Sequence, residues 1–182
     1  MVCVAIAMTM SKANRGKYFE EWIDWANQQY LSRGEAVVTK IPTPWKVVRK
    51  YSPYKKTYEI AMAFPEKKST VDFGGTAKKM SIWFDAKVTK NKLSFPLANI
   101  HKHQIEYLKH VNNQGGKAFF LIHSEHSKDT WLLWIDQLLN FLENEKRKSI
   151  PFTWMDQHCG KVKANTGIVL DYLPLVLMRR EG

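Results

Sequence analysis

Ser81-Ile82-Trp83-Phe84-Asp85-Ala86-Lys87-Val88 alternates strictly between two kinds of residue. Ile82, Phe84, Ala86 and Val88 fall on one face of an extended chain, with Ser81, Trp83, Asp85 and Lys87 on the other. Asp85 and Lys87 are two apart, so their side chains leave the same face about 7 Å apart along the strand. Upstream, Thr70-Val71-Asp72-Phe73 leads into Gly74-Gly75, which reads as a turn and lets Asp72 return to the face of Asp85. Two carboxylates in one cleft make an oxygen-rich site suited to Mg²⁺, a hard cation that keeps several waters; Mn²⁺ is the expected substitute. An ammonium beside them stabilises developing charge on a phosphate or helps to deprotonate an attacking water. Phosphodiester hydrolysis needs those parts.

Spacing alone favours a plainer reading, because D-x-K is common by chance and suits a solvated polar face. Three observations weigh against it. Trp83 and Phe84 flank the pair and imply a strand buried at least in part, where unpaired charge is costly. Gln104 lies between Ile100 and Leu108 on one helical stripe, an amide where an aliphatic residue is expected. The chain is also strongly basic: Lys plus Arg is 28, Asp plus Glu is 17, and the net charge is +11. Such an excess points to a polyanionic partner ahead of an anionic membrane or an acidic protein.

Working outward, Phe19, Trp22, Ile23, Ala26 and Tyr30 form an apolar helical stripe, with Asn14 as N-cap and Gly34 as stop. Glu35 to Ile41 reads as a strand, broken by Pro42-Thr43-Pro44, and Trp45 to Tyr51 as another. From Lys46 to Lys68 basic and aromatic residues interleave, either as two projecting strands or as a long basic loop. Its lysines and arginines suit phosphates, and Tyr51, Tyr54 and Tyr58 suit stacking on exposed bases, unless they face the core. Phe95-Pro96-Leu97 introduces a helix from about Asn99 to Asn112. Lys117 to His123 and Thr130 to Ile135 read as buried strands. Asp136 caps a helix to about Lys146 with Leu138, Leu139 and Leu142 inward, and a last strand starts at Ile168. This order predicts an α/β fold with a mixed sheet.

The 182 residues, 45% apolar and 25% charged, fit one soluble globular domain over 1–182 and exclude disorder, collagen and coiled coil for its bulk. The 2 cysteines, Cys3 and Cys159, are too few for a disulfide scaffold and suit reducing cytoplasm. No stretch approaches a membrane span. Met1 to Met10 is apolar without a basic leader, so a frayed end or first strand is expected rather than a signal. His101, His103 and His110 fall on different helical faces, which argues against zinc. No Gly-x-Ser-x-Gly elbow and no Gly-x-x-x-x-Gly-Lys loop occurs.

Asn14-Arg15-Gly16 with Glu20, Pro42-Thr43-Pro44, Thr70-Val71-Asp72-Phe73, Phe84-Asp85-Ala86-Lys87 with Thr89-Lys90, Phe95-Pro96-Leu97-Ala98-Asn99, His103-Gln104 and Arg147-Lys148-Ser149-Ile150-Pro151 follow one another in order. In that order, from Asn14 to near the C-terminus, the chain resembles the RecU family of Holliday-junction resolvases of Gram-positive bacteria and their phages. The resemblance implies a restriction-endonuclease-like PD-(D/E)xK core, a mixed central sheet flanked by helices, with a projecting stalk at about 51–66. It implies a homodimer that nicks opposed strands of four-way junction DNA with Mg²⁺, leaving 5′-phosphate and 3′-hydroxyl ends, and a recombinase as a possible partner. It places Asp72 and Asp85 as metal ligands and Lys87, Thr70, Glu20 and Gln104 as further catalytic residues. The DNA-contact candidates are Arg15, Lys46, Arg49, Tyr54, Lys55, Lys56, Asn99, Arg147 and Lys148. Members often carry Glu where Asp85 stands, and some have a basic N-terminal arm where this chain has Met1 to Met10. The rival expectations are a nuclease of the same fold without junction preference, and a recombination accessory that binds junctions with a vestigial metal site.

Overall fold

The computed structural model describes residues 12–65 and 70–179. The expectations for Met1 to Met10, Cys3, Lys67 and Lys68 lie outside the described residues, as does the side chain of Arg15. In chain order the elements are α1 (Lys12–Ser32), β1 (Ala36–Lys40), β2 (Trp45–Ser52), β3 (Thr57–Pro65), β4 (Phe73–Ala77) and β5 (Met80–Thr89). There follow β6 (Ser94–Pro96), α2 (Lys102–Asn113), β7 (Lys117–Ser124), β8 (Thr130–Trp134), α3 (Ile135–Asn144) and β9 (Ser149–Pro151). The last are α4 (Phe152–His158), β10 (Gly160–Asn165), β11 (Ile168–Asp171) and α5 (Leu173–Met178).

The body is a 7-stranded sheet in the order β1-β4-β5-β7-β8-β10-β11. β5 and β7 run parallel while their neighbours pair antiparallel, so the sheet is mixed as expected. β7 is buried along its whole length, since helices cover both faces. Ile82, Phe84, Phe119 and Leu121 pack toward α1 and α5, against Ile23, Tyr30, Tyr172 and Val176. Ala118, Phe120, Ile122 and Leu133 pack toward α2, α3 and α4, against Leu108, Leu138, Phe141 and Met155. This is the mixed central sheet flanked by helices that the resemblance implies. The α1 stripe is inward as read, and among the described residues no helix is long and apolar enough to cross a membrane.

Several local readings are corrected. Gly74-Gly75 is no turn: both glycines lie inside β4, and the turn is Lys78-Lys79, with φ of 48° and 68°. The glycines permit close approach instead. A Cβ on Gly75 would lie 2.0 Å from the Val37 carbonyl oxygen of β1, and one on Gly74 2.6 Å from the Trp83 ring. Asn14 lies inside α1 and does not cap it, because the helix begins at Lys12. Asn99 ends a short 3-10 turn, Leu97–Asn99, and α2 starts only at Lys102. Asp136 is in the first turn of α3, whose N-cap is Trp134; the Gln137 side-chain Oε1 accepts from the Trp134 N–H at 3.0 Å. Phe141 takes the inward place expected for Leu142, which is exposed. The segment after Lys46 is a pair of strands, a separate ribbon that begins at Trp45 rather than near 51. The sequence reading missed α4, β10, α5 and the β6–β9 pair; these are 7, 6, 6 and 3 residues long, too short for periodicity to register.

Replacing Gly75 with alanine drives a methyl group into the β1 backbone. Gly75→Ala is therefore expected to cost about 1–3 kcal/mol, toward the upper end because the obstacle is main chain. The urea midpoint checks this, and a turn glycine in open space would show no such loss.

Candidate active site

Asp72 stands just before β4, where its carbonyl oxygen accepts from the Ile41 N–H at 2.8 Å and ties it to the end of β1. Its side-chain Oδ2 accepts from the Ala86 N–H at 3.0 Å, across the hairpin. Register does the rest: Phe73 pairs with Phe84, which sets Asp72 beside Asp85. Asp85 is fully buried on β5. Its Oδ2 accepts from Gln104 Nε2, and Lys87 Nζ lies 2.5 Å from Oδ1. Gln104 has its amide orientation dictated, because its Oε1 accepts from the His101 N–H at 3.1 Å and only the NH₂ group is left to face the carboxylate. A polar residue on an apolar helical stripe is thus accounted for by a buried acid opposite it.

Burial, reinforced by the neighbouring Asp72 carboxylate and opposed by the Lys87 ammonium, pushes the Asp85 carboxyl up to about 7. The site therefore holds more negative charge than Lys87 balances. Asp85 Oδ1 is buried and has the Lys87 ammonium as its charge partner. Two adjacent carboxylates set against a single ammonium make a donor set that fits a divalent cation. Among the described residues no group of three His, Cys, Asp or Glu side chains converges. Two carboxylates nevertheless suffice for Mg²⁺, which fills its remaining positions with water and substrate phosphate.

Asp72, Asp85, Lys87 and Gln104 are brought together. Glu20 is placed one step away: it pairs with Lys40 Nζ at 2.5 Å, and the Lys40 ammonium in turn senses Glu20, Asp24 and Asp72. Sequence reading missed Lys40; its signal was position, the last residue of β1, paired in register with Phe73. Thr70 is exposed, two residues ahead of Asp72. Lys46 and Arg49 lie on β2, and Tyr54, Lys55 and Lys56 form the ribbon tip, where Tyr54 is 97% exposed and Lys55 pairs with Glu59 at 2.7 Å. Tyr51, Tyr54 and Tyr58 all face solvent rather than the core. The β6–β9 pair brings Lys148 alongside Leu97, whose N–H donates to the Lys148 carbonyl at 3.0 Å, while Arg147 pairs with Glu145 at 3.2 Å.

The family described as Recombination protein U, RecU, matches residues 14–178. The chain belongs to the RecU family. A Holliday junction resolvase RecU from Streptococcus gordonii is 38% identical over 169 residues, covering 92% of this chain and 84% of that one. Its counterpart from Shouchella clausii is 39% identical over 162 residues, covering 88% and 78%. Among solved structures, Hjc, a Holliday junction resolvase from Archaeoglobus fulgidus, aligns with a TM-score of 0.46 at 10% identity, over 82% of this chain and 93% of that one. In this RecU-family chain the acid on β5 is Asp85, and Gln104 reaches it directly.

The raised Asp85 carboxyl fixes a sign. Between about pH 4 and 7 the folded state holds a proton that the unfolded chain releases, so without metal stability falls as pH rises through that window. His123, pushed below its usual value of 6.5 chiefly by burial, acts the opposite way: its contribution is lost as pH falls below 6.5. A comparison of variants separates the two. Asp85→Asn is expected to raise the metal-free urea midpoint at pH 8 and to remove that stability loss between pH 4 and 7. Equal midpoints at pH 8 would contradict a buried, costly carboxylate.

Proposed function

We propose that this chain is a metal-dependent endonuclease that resolves four-way DNA junctions by paired, symmetric nicks. The observation that carries it is the buried Asp85 carboxylate, held by Gln104 and Lys87 beside Asp72, in a RecU-family chain whose similar relatives bear the name Holliday junction resolvase. Asp72 and Asp85 are the residues to hold Mg²⁺. A divalent cation there supplies Lewis acidity toward the scissile phosphate and the attacking water.

The protein's own groups do the rest. The Ala86 N–H fixes Asp72, and Gln104 fixes Oδ2 of Asp85, so both carboxylates are oriented before substrate arrives. Lys87, its side chain 15% exposed, brings a cation to the developing charge on the phosphate. The Glu20–Lys40 ion pair, net neutral, borders the same end of the sheet, and Thr70 lines the approach. The ribbon β2–β3 is read as the stalk, with Lys46, Arg49, Lys55 and Lys56 for phosphates and Tyr54 for an open junction centre. Arg15, Asn99, Arg147 and Lys148 are read as contacts to the arms.

A homodimer is part of the proposal. Trp45, Val47, Val48, Ile60, Met62 and Phe64 are exposed along the ribbon, and a two-stranded ribbon with uncovered apolar faces is marginal by itself. A second copy related by a two-fold axis covers it and matches the two-fold symmetry of a junction that needs two cuts.

Cleavage of a labelled four-way junction in Mg²⁺, beside linear duplex, tests the reading. Symmetric nicks on the junction alone are expected, with Asp72→Ala and Asp85→Ala each at least about 100-fold slower. Gln104→Ala should raise the Mg²⁺ concentration needed about 10–100-fold. Equal cutting of duplex would remove the junction preference, and junction binding without cleavage in Mg²⁺ or Mn²⁺ would overturn the enzyme.

A further inference from the structure

Among the described residues, every non-glycine with a left-handed backbone is a lysine: Lys56 at φ 49°, Lys78 at 48°, Lys79 at 68° and Lys128 at 62°. Side chains with a Cβ disfavour this region, and Gly, Asn and Asp are the residues that enter it readily. A lysine kept there sacrifices stability, and what it offers that Asn or Gly lacks is charge. Lys56 belongs to the ribbon tip; Lys78, Lys79 and Lys128 lie outside the ribbon, on turns of the seven-stranded sheet.

Those three lie at opposite ends of the sheet. Lys78-Lys79 joins β4 to β5 at the end remote from Asp72. Lys128 lies in the β7–β8 turn, beyond the C-terminal end of the parallel β5–β7 pair, which is the end toward which Asp85 and Lys87 lie. Ligands of open α/β sheets collect at the carboxyl ends of parallel strands. The turn is tightly built. The Lys128 N–H donates to the Ser124 carbonyl at 2.9 Å, and the Ser127 N–H to Ser124 Oγ at 3.2 Å. It is also fastened to the catalytic strand: the Glu125 N–H donates to the Thr89 carbonyl at 2.9 Å, two residues beyond Lys87. From that same strand end run Lys90 and Lys92.

Lys90, Lys92 and Lys128 are exposed, and none makes an ion pair among the described residues, whereas Lys40, Lys87 and Lys161 do. The acid next to Lys128, Asp129, is matched by Lys161 at 3.1 Å. By sheet order Lys128 lies on the β7–β8 side of β5, Lys90 and Lys92 follow directly from the end of β5, and the ribbon leaves the chain between β1 and β4 on the other side.

We propose that Lys128, with Lys90 and Lys92, is a phosphate-contact patch for a duplex arm of the junction, flanking the cleavage site on the side away from the ribbon. This rests on the junction-nuclease reading and adds a second DNA contact region to it. The two regions bracket the catalytic strand, so a duplex held by both is located across Asp72 and Asp85.

Two variants that relieve the same backbone strain separate this from bulk charge. Lys128→Asn removes one charge near the site; Lys78→Asn with Lys79→Gly removes two far from it and installs the favoured residues of a two-residue hairpin turn. Both should raise the melting temperature. Junction binding is measured in EDTA over a salt series. Lys128→Asn should weaken binding about eightfold near 0.1 M salt and lower the log–log salt slope by about one, while the double variant stays at wild-type affinity. Wild-type affinity for Lys128→Asn overturns the proposal. So does a loss in the double variant as large or larger, which would mark a general field, and so does a fall in melting temperature for Lys128→Asn, which would make that lysine structural. Wild-type junction cleavage in the same preparation reports on the underlying function separately. Loss of binding in Lys128→Asn with no cleavage by the wild type leaves the patch standing and removes the nuclease.

Discussion

Three phenylalanine rings, Phe73, Phe84 and Phe119, stack across β4, β5 and β7 with centroids 5.0 and 4.8 Å apart. They sit directly opposite one another in the register of the strands, and all are fully buried. Because side chains alternate along a strand, a slip of one residue would turn this stack out of its core and turn Asp85 into the apolar layer beneath α1. The rings therefore hold more than hydrophobic area. They fix which face of β5 carries Asp85 and Lys87, and they bring the end of β4, with Asp72, alongside. The stack packs on one side of the sheet so that chemistry can be placed on the other.

On that other side the opposing constraint is charge. A buried carboxylate must be hydrogen-bonded or paired, and Asp85 has Gln104 on one oxygen and Lys87 near the other. Those partners do not bring it back to an ordinary carboxylate, since burial and Asp72 together outweigh them. A site the protein leaves short of positive charge suits the divalent cation proposed for it, and the cost of that shortage without metal would be the counterpart of affinity for metal.

Much of this was legible in the residues. The alternation from Ser81 to Val88 gave β5 and its two faces, the stripe from Phe19 to Tyr30 gave α1, and the out-of-place amide of Gln104 marked the helix that meets Asp85. What escaped depends on the third dimension. Gly74-Gly75 carries a composition typical of turns, yet here it answers to the closeness of β1, which no local pattern encodes; the true turn is made of two lysines, which no turn preference would select. Lys40 belongs to the site only because β1 pairs with β4 across an intervening ribbon. Short elements such as α4 and β10 take their form from the core they cover rather than from their own periodicity.

The aspartate on β5 is the last feature these constraints explain. A glutamate there would carry its carboxylate one methylene, about 1.5 Å, farther from the strand. The shorter side chain keeps the charge close to the sheet, where the two cores exclude water and where Gln104, anchored by the His101 N–H, has reached in to meet it. Reach is exchanged for burial. The same shortening that strains the carboxylate electrostatically also confines it, because an acid held against the strand between a lysine and a fixed amide has few rotamers left to occupy. In this chain the orientation of the two carboxylates proposed to hold the metal is thus set by the sheet itself, through the rings that fix its register.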